Sequence, residues 1–200
     1  MPVFAPQMRA KLAESAFGLF ARKGIKQVSL DEVAADAGVT KGSLYWHYKS
    51  KKELVLAACA FYYRRWQQCA HAEIAQADNP LGQLERALRY SVQSCLFDRK
   101  NRVFTSEIMA LSLQDPEILA GWAQFYDTVR EFFVGLVRAA QAQGYLDVDD
   151  PRDAVNWMLA TIEGIKQRAS FEPEICTPDQ RETMVQGLLR IVSETSRHAA

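Results

Sequence analysis

The chain has no apolar run of the roughly twenty residues that crossing a bilayer requires, and its opening residues, MPVFAPQMRAK, lack the apolar core of a signal peptide. A cytoplasmic location without a membrane partner is the expectation. No segment alternates apolar and polar residues with period two, which argues against a fold built on strands. There is no nucleophile elbow, phosphate loop, metal-ligand cluster or carboxylate pair at mechanistic spacing. Enzymatic turnover is therefore the weakest reading, and no cofactor is expected. The four cysteines, Cys59, Cys69, Cys95 and Cys176, form no C-x-x-C pair, and His71 is the only histidine near any of them. That argues against zinc and leaves reduced thiols as the default in the cytoplasm. The formal net charge is zero, which by itself points neither toward nucleic acid nor away from it.

Against these absences stands a chain of 200 residues, 48% of them hydrophobic, enough for one or two globular domains. Its charge is unevenly spread. Residues 1–55 carry nine Lys/Arg and five Asp/Glu, whereas residues 56–200 carry fifteen and nineteen. A basic head on an acidic body suits a protein that meets phosphate at one end.

The head contains the most informative stretch, SLDEVAADAGVTKGSLYWHYKSKKEL, from Ser29 to Leu54. Ser29 precedes Glu32 by three residues, and Ser50 precedes Glu53 by three. Each spacing is that of a capping box, in which a hydroxyl and a carboxylate satisfy orphan amides at a helix start. Ala34 is small enough for a crossing helix to approach. Gly38 suits the left-handed residue that ends a helix. Val39 and Leu44 supply apolar packing below the helix that follows. Two short helices, a sharp turn and this spacing describe a helix-turn-helix.

The second of these helices is expected over about Lys41–Tyr48, with Thr40 as N-cap. Leu44 and part of Tyr48 are assigned to the interior. Lys41, Ser43, Tyr45, Trp46, His47 and Lys49 are left facing outward. Ammonium, hydroxyl and imidazole groups and helix N-terminal amides all donate to phosphate oxygens, and Gly42 lets the backbone approach a groove wall. With Ser29, Thr40, Tyr48 and Lys51 at the edges, these residues form the candidate DNA-binding set. The alternative is a helical hairpin packed on protein with its charges solvated. Such hairpins rarely expose two aromatics and three donors on one turn.

Residues 9–55 closely resemble the DNA-binding domain of the TetR family of transcriptional regulators. The match is continuous through Ser29-Leu30, Val33-Ala34, Ala37-Gly38-Val39-Thr40, Gly42, Leu44-Tyr45, His47-Tyr48, Ser50-Lys51 and Leu54, and covers about a quarter of the chain. Trp46 departs from the small or polar residues common at its position. The resemblance implies three helices and the start of a long fourth, binding to a palindromic operator on double-stranded DNA as a homodimer, and release when a small-molecule effector fills a C-terminal domain.

Periodicity supplies the rest of an all-α chain with about nine helices. It divides into a helix-turn-helix domain, 1–54, and a helical ligand-binding and dimerisation domain, 55–200. A first helix over 7–23 turns Leu12, Ala16, Phe17, Leu19 and Phe20 inward and stops at Gly24. A helix over 51–76 would be roughly 39 Å long, a rod shared by both domains and a lever between them. Beyond it, Asn79-Pro80, Asp115-Pro116, Asp150-Pro151 and Thr177-Pro178 each place a capping side chain before a proline. They predict helices over 80–97, 116–143, 151–170 and 178–197, with another over 102–113. The last two carry Ala154, Trp157, Met158, Ala160, Thr161, Gly164 and Ile165, then Met184, Gly187, Leu188, Ile191 and Val192. These are read as a dimer surface or as intrachain core.

An effector cavity would draw its walls from Phe61, Tyr62, Trp66, Phe97, Phe104, Met109, Trp122, Phe125, Tyr126 and Met158, each of which core packing also explains. Glu107 and Glu163 stand in apolar surroundings and must be paired or neutralised. Their partner would be either a ligand or an intrachain arginine such as Arg130 or Arg168. Two functions follow: a repressor released by its ligand, or an activator or DNA-dependent interaction factor on the same fold.

Overall fold

The computed structural model of the chain describes residues 4–194. They form nine α-helices and no strand: α1 (Phe4–Lys23), α2 (Leu30–Asp36), α3 (Lys41–His47), α4 (Lys51–Ile74), α5 (Pro80–Val92), α6 (Arg99–Ser112), α7 (Pro116–Ala142), α8 (Pro151–Arg168) and α9 (Arg181–Glu194). The end of the expected 178–197 helix lies outside the described residues.

Three of the four expected starts are built as their sequences suggest. Asn79 accepts from Gly82 N at 2.9 Å, Asp115 from Glu117 N at 3.0 Å, and Asp150 from Arg152 N at 2.8 Å. The fourth differs. Thr177 and Gln180 cap a single tight turn, Pro178–Gln180, and the regular helix begins only at Arg181. Other helices also end earlier than periodicity implies, among them the 51–76 run, which stops at Ile74. The 80–97 run leaves regular geometry at Gln93, where a wider turn over Gln93–Phe97 closes with Asp98 N donating to Gln93 O at 2.9 Å. The 151–170 run ends at Arg168.

The chain divides into two compact units, Met1–Gln67 with Arg99–Ala123, and Gln68–Asp98 with Gln124–Ala200. In the first, α1 packs on α2 and α6. Leu12, Ala16, Phe17, Leu19 and Phe20 are all buried, as their spacing predicts, with Ile25, Val28, Val33, Leu44 and Leu54 completing the core. Phe17 meets Phe104 of α6 edge-on at 4.9 Å. In the second, α9 packs on both α5 and α8. Its core includes Leu84, Leu88, Val92, Met158, Ile162, Val185, Leu188 and Val192. Among the described residues no helix is long and apolar enough to cross a membrane.

Candidate nucleic-acid interface

The reading hairpin is held by bonds that span only a few residues. Ser29 Oγ accepts from Glu32 N at 3.2 Å while Glu32 Oε2 accepts from Ser29 N at 2.8 Å, the reciprocal box expected at that spacing. The Lys23 ammonium first, then the backbone amide and hydroxyl of Ser29, hold the Glu32 carboxyl at about 2, well below its ordinary 4.5. α2 ends in a Schellman turn: Gly38 has φ +65°, Gly38 N donates to Ala35 O at 3.0 Å, and Val39 N donates to Ala34 O at 2.9 Å. Thr40 then caps α3 by accepting from Ser43 N at 3.2 Å. At the next start Ser50 accepts from Glu53 N at 3.2 Å, but the Glu53 carboxylate reaches back to Lys49 N, at 2.9 Å, rather than to Ser50 N.

On α3, Leu44 is fully buried and Lys41, Gly42, Tyr45, Trp46 and Lys49 lie exposed, with Ser43 half-buried. Lys41 Nζ lies 2.8 Å from Asp31 Oδ2 and 5.9 Å from the centre of the Tyr45 ring. Both partners of that ion pair are solvated, so it holds the lysine only weakly. Lys49 Nζ donates to Tyr45 O at 2.8 Å, closing the helix end. Lys51 Nζ donates to Lys26 O at 3.1 Å, tying the start of α4 to the link after α1.

His47 does not face outward as expected. It falls three residues after Leu44, on the side of α3 that meets the core, and is buried. Burial first, then the nearby Arg9 and Lys49 charges, lower its pKa and favour the neutral ring. Its carbonyl accepts from Arg9 Nη1 at 2.8 Å. The Arg9 guanidinium also sits 4.5 Å from the Tyr48 ring centre, and the Tyr48 hydroxyl donates to Arg9 O at 3.0 Å. Arg9 thus clamps the end of the reading helix. Sequence reading missed both this and the Asp31–Lys41 pair, because neither contact has a local spacing that announces it.

The twelve candidate ligand residues fall into the two units. In the first, Phe61, Tyr62 and Phe104 join Phe17 in one aromatic cluster with ring centres 4.9–6.0 Å from Phe17. Trp66 is buried, Trp122 lies 6.3 Å from Tyr63, and Met109 is exposed. Among the described residues Glu107 pairs with no arginine: its Oε2 accepts from Ile25 N at 3.0 Å, serving the amide freed where α1 stops at Gly24. In the second unit Met158 is fully buried, Phe125 is buried beside Tyr126, and Phe97 lies 4.8 Å below the Arg181 guanidinium. Glu163 accepts from the Tyr126 hydroxyl, and Lys166 Nζ donates to its Oε1 at 2.7 Å. The intrachain cation is therefore Lys166, one turn along, and not Arg130 or Arg168, which bond Asn156 at 2.7 Å and Glu172 at 2.5 Å. The i,i+3 spacing of Glu163 and Lys166 was the available signal. All four cysteines are unbridged, and burial pushes the Cys59 thiol up to about 12 and the Cys95 thiol up to about 11, which leaves them poor nucleophiles.

A capped two-helix hairpin whose second helix offers lysines, a hydroxyl and aromatics to solvent, on an all-helical chain, defines a helix-turn-helix DNA-binding regulator. Residues 12–58 match the profile of bacterial regulatory proteins of the tetR family, and residues 80–192 match the C-terminal profile of BetI-type transcriptional repressors. The second match alone spans more than half of the chain. The protein belongs to the TetR family of transcriptional regulators. It is 26% identical over 181 residues to the regulator TtgR of Pseudomonas putida, covering 85% of this chain and 83% of that one. It is 25% identical over 173 residues to the transcriptional repressor BepR of Brucella suis, covering 80% and 79%. The fold is shared with a transcriptional regulator from Saccharomonospora viridis solved in complex with choline, at TM-score 0.81 and 20% identity over 94% of this chain and 96% of that one.

Proposed function

We propose that the protein is a repressor that binds a two-fold operator as a homodimer and leaves it when a small molecule occupies the C-terminal region. The observation that carries the DNA contact is the outward face of α3. Lys41, Gly42, Tyr45 and Trp46 are exposed on α3, with Lys49 exposed just beyond its end, while Leu44, His47 and Tyr48 complete the packing. Lys41, Lys49 and Lys51 would take phosphates, and Ser43 and Tyr45 would read base edges. The Thr40 hydroxyl that accepts a cap bond still has a hydrogen to donate, whereas the Ser29 hydroxyl already donates to Glu32 Oε2 at 3.1 Å.

Gly42 supports this reading from the opposite direction. A Cβ there would meet nothing nearer than Thr40 Oγ1 at 4.0 Å, so the protein's own packing does not require glycine. Close approach of the α3 backbone to DNA would require it. The Gly42→Ala variant is expected to be as stable as the parent or more so, by up to about 1 kcal/mol. It should bind a duplex selected by the parent at least tenfold more weakly. Equal affinity would remove the assigned contact face.

A second copy is supported by α8 and α9. Trp157 is 60% exposed, and a Cβ on Gly164 or Gly187 would meet nothing within 4 Å. A helical glycine that costs about 1 kcal/mol with no neighbour among the described residues would be explained by a partner helix. Ala154, Met158, Leu188 and Val192 of the same expected surface are instead buried within the chain. Two reading helices about one DNA turn apart then match a palindrome.

The match to a BetI-type repressor C-terminal profile and the likeness to BepR, a repressor, favour repression over activation. Effector binding is supported by the aromatic content of both units and by the choline held in the Saccharomonospora viridis structure. α4 and α7 each continue from one unit into the other and the chain crosses once more at Asp98–Arg99, so these three are the covalent routes by which occupancy would reach α3. An effector would act through its differential affinity for the two states. Turnover of a substrate has no part in this reading. Genome-wide footprinting of the bound protein, with transcript levels in a deletion strain, tests it: neighbouring transcripts should rise on deletion, and a fall would mean activation.

A further inference from the structure

Trp46 is the most exposed aromatic side chain of the reading hairpin, at 68%, against 38% for its neighbour Tyr45. An indole offers one N–H donor and a large, rigid apolar surface. Phosphate contact would use the donor and leave the ring in water. The ring is nonetheless held in place. The imidazole of the buried His47 meets it edge-on, with centroids 4.6 Å apart. Lys49 Nζ donates to Tyr45 O at 2.8 Å and to Trp46 O at 3.4 Å, fastening the backbone beneath it. Gly42, Tyr45 and Trp46 follow helical spacing along one face of α3 and are all exposed, and Lys49, just beyond the helix end, is exposed as well. The apolar feature that a base edge presents in the major groove is the 5-methyl group of thymine.

We infer that Trp46 is a specificity-determining residue, its indole packing on the 5-methyl group of one thymine in each operator half-site. The inference rests on the DNA-binding reading above and adds which base is selected and by what contact. Deoxyuridine in place of thymine keeps every hydrogen-bonding group and removes only the methyl, so it isolates this contact.

The test uses the intact protein and a duplex that the intact protein selects from a randomised pool. Each half-site thymine is replaced in turn by deoxyuridine, and affinity is read by fluorescence anisotropy. At one thymine per half-site the parent should lose about fourfold, the value of one buried methyl-sized group. The Trp46→Ala variant should be weaker on the thymine duplex and lose nothing further at that position. Trp46→Phe should retain part of the discrimination. A Trp46→Ala variant that keeps the parent's full deoxyuridine penalty at every position overturns the inference, as does a parent indifferent to all the replacements or one whose selected half-site has no thymine. In those three cases DNA binding stands and only the thymine contact falls. A parent that selects no duplex removes the DNA-binding reading itself. Because the ring lies largely in solvent, its removal is not expected to unfold α3; circular dichroism of the variant confirms that.

Discussion

The α2–α3 hairpin and the α8–α9 pair are each two helices packed together, yet opposite forces hold them. The hairpin buries little of its own: Val33, Ala34, Leu44 and His47. Its shape comes from the Ser29–Glu32 box, the Gly38 turn and the Thr40 cap. α8 and α9 bury Ala154, Val155, Met158, Ile162, Val185, Leu188 and Val192, and α8 also buries Lys166 against Glu163. A surface that must present lysines and aromatics to a ligand cannot also spend them on packing. Its geometry therefore falls to short-range backbone bonds, whereas the body takes its order from apolar burial.

Four substitutions test that contrast, from the largest effect to the smallest. Leu188→Ala, at a nearly fully buried position, should cost about 3 kcal/mol, read by urea unfolding. A cost under about 1 kcal/mol would mean that burial does not hold α8 to α9. Lys166→Ala leaves the partly buried Glu163 carboxylate with the Tyr126 hydroxyl alone, and should cost about 2 kcal/mol. Replacing Lys166 and Glu163 together by Met and Leu should recover most of that loss, because the pair's attraction largely offsets its own desolvation. On the hairpin, Thr40→Ala should cost only about 1 kcal/mol, the usual worth of one N-cap. A loss as large as that at Leu188 would erase the contrast.

The smallest effect is a pH dependence. The Glu32 carboxyl is held at about 2 against an ordinary 4.5, so the folded state binds this proton less readily than the unfolded one. Its stabilising contribution is complete above pH 4.5 and is lost as pH falls from 4.5 toward 2. Glu32→Gln keeps a side chain able to accept from Ser29 N but removes the titration. The variant's stability should therefore change less with pH across that window, while the two proteins differ by a constant amount above it. Equal slopes between pH 4.5 and 2 would show that the Lys23 and Ser29 contacts do not perturb this group.

The parts of the molecule legible in the sequence were those set by neighbours in the chain. Ser29, Gly38, Thr40, Asn79, Asp115 and Asp150 act over two to five residues, and each does what its spacing suggests. Thr177 shows the limit: its cap forms, but the proline after it begins only a short turn before α9. The 3.6-residue period gave the buried face of α1. It could not tell a pocket wall from core, since Phe104 and Met158 would show the same pattern in either role. For His47 the period did carry the signal, since it stands three residues after buried Leu44, although its donor groups suggest an outward role.

By itself the sequence determined an all-helical chain, a basic head, where most helices begin, and which short helix offers donors and aromatics to solvent. Those properties follow from hydrogen bonds and side-chain periods that close within a turn or two. Only the tertiary structure decided that Glu107 serves the Ile25 amide and that α6 belongs to the same compact unit as the reading hairpin. A buried charge must find a counterpart, but the sequence does not say which one lies within reach. That depends on packing between segments tens of residues apart, where no local period carries the information.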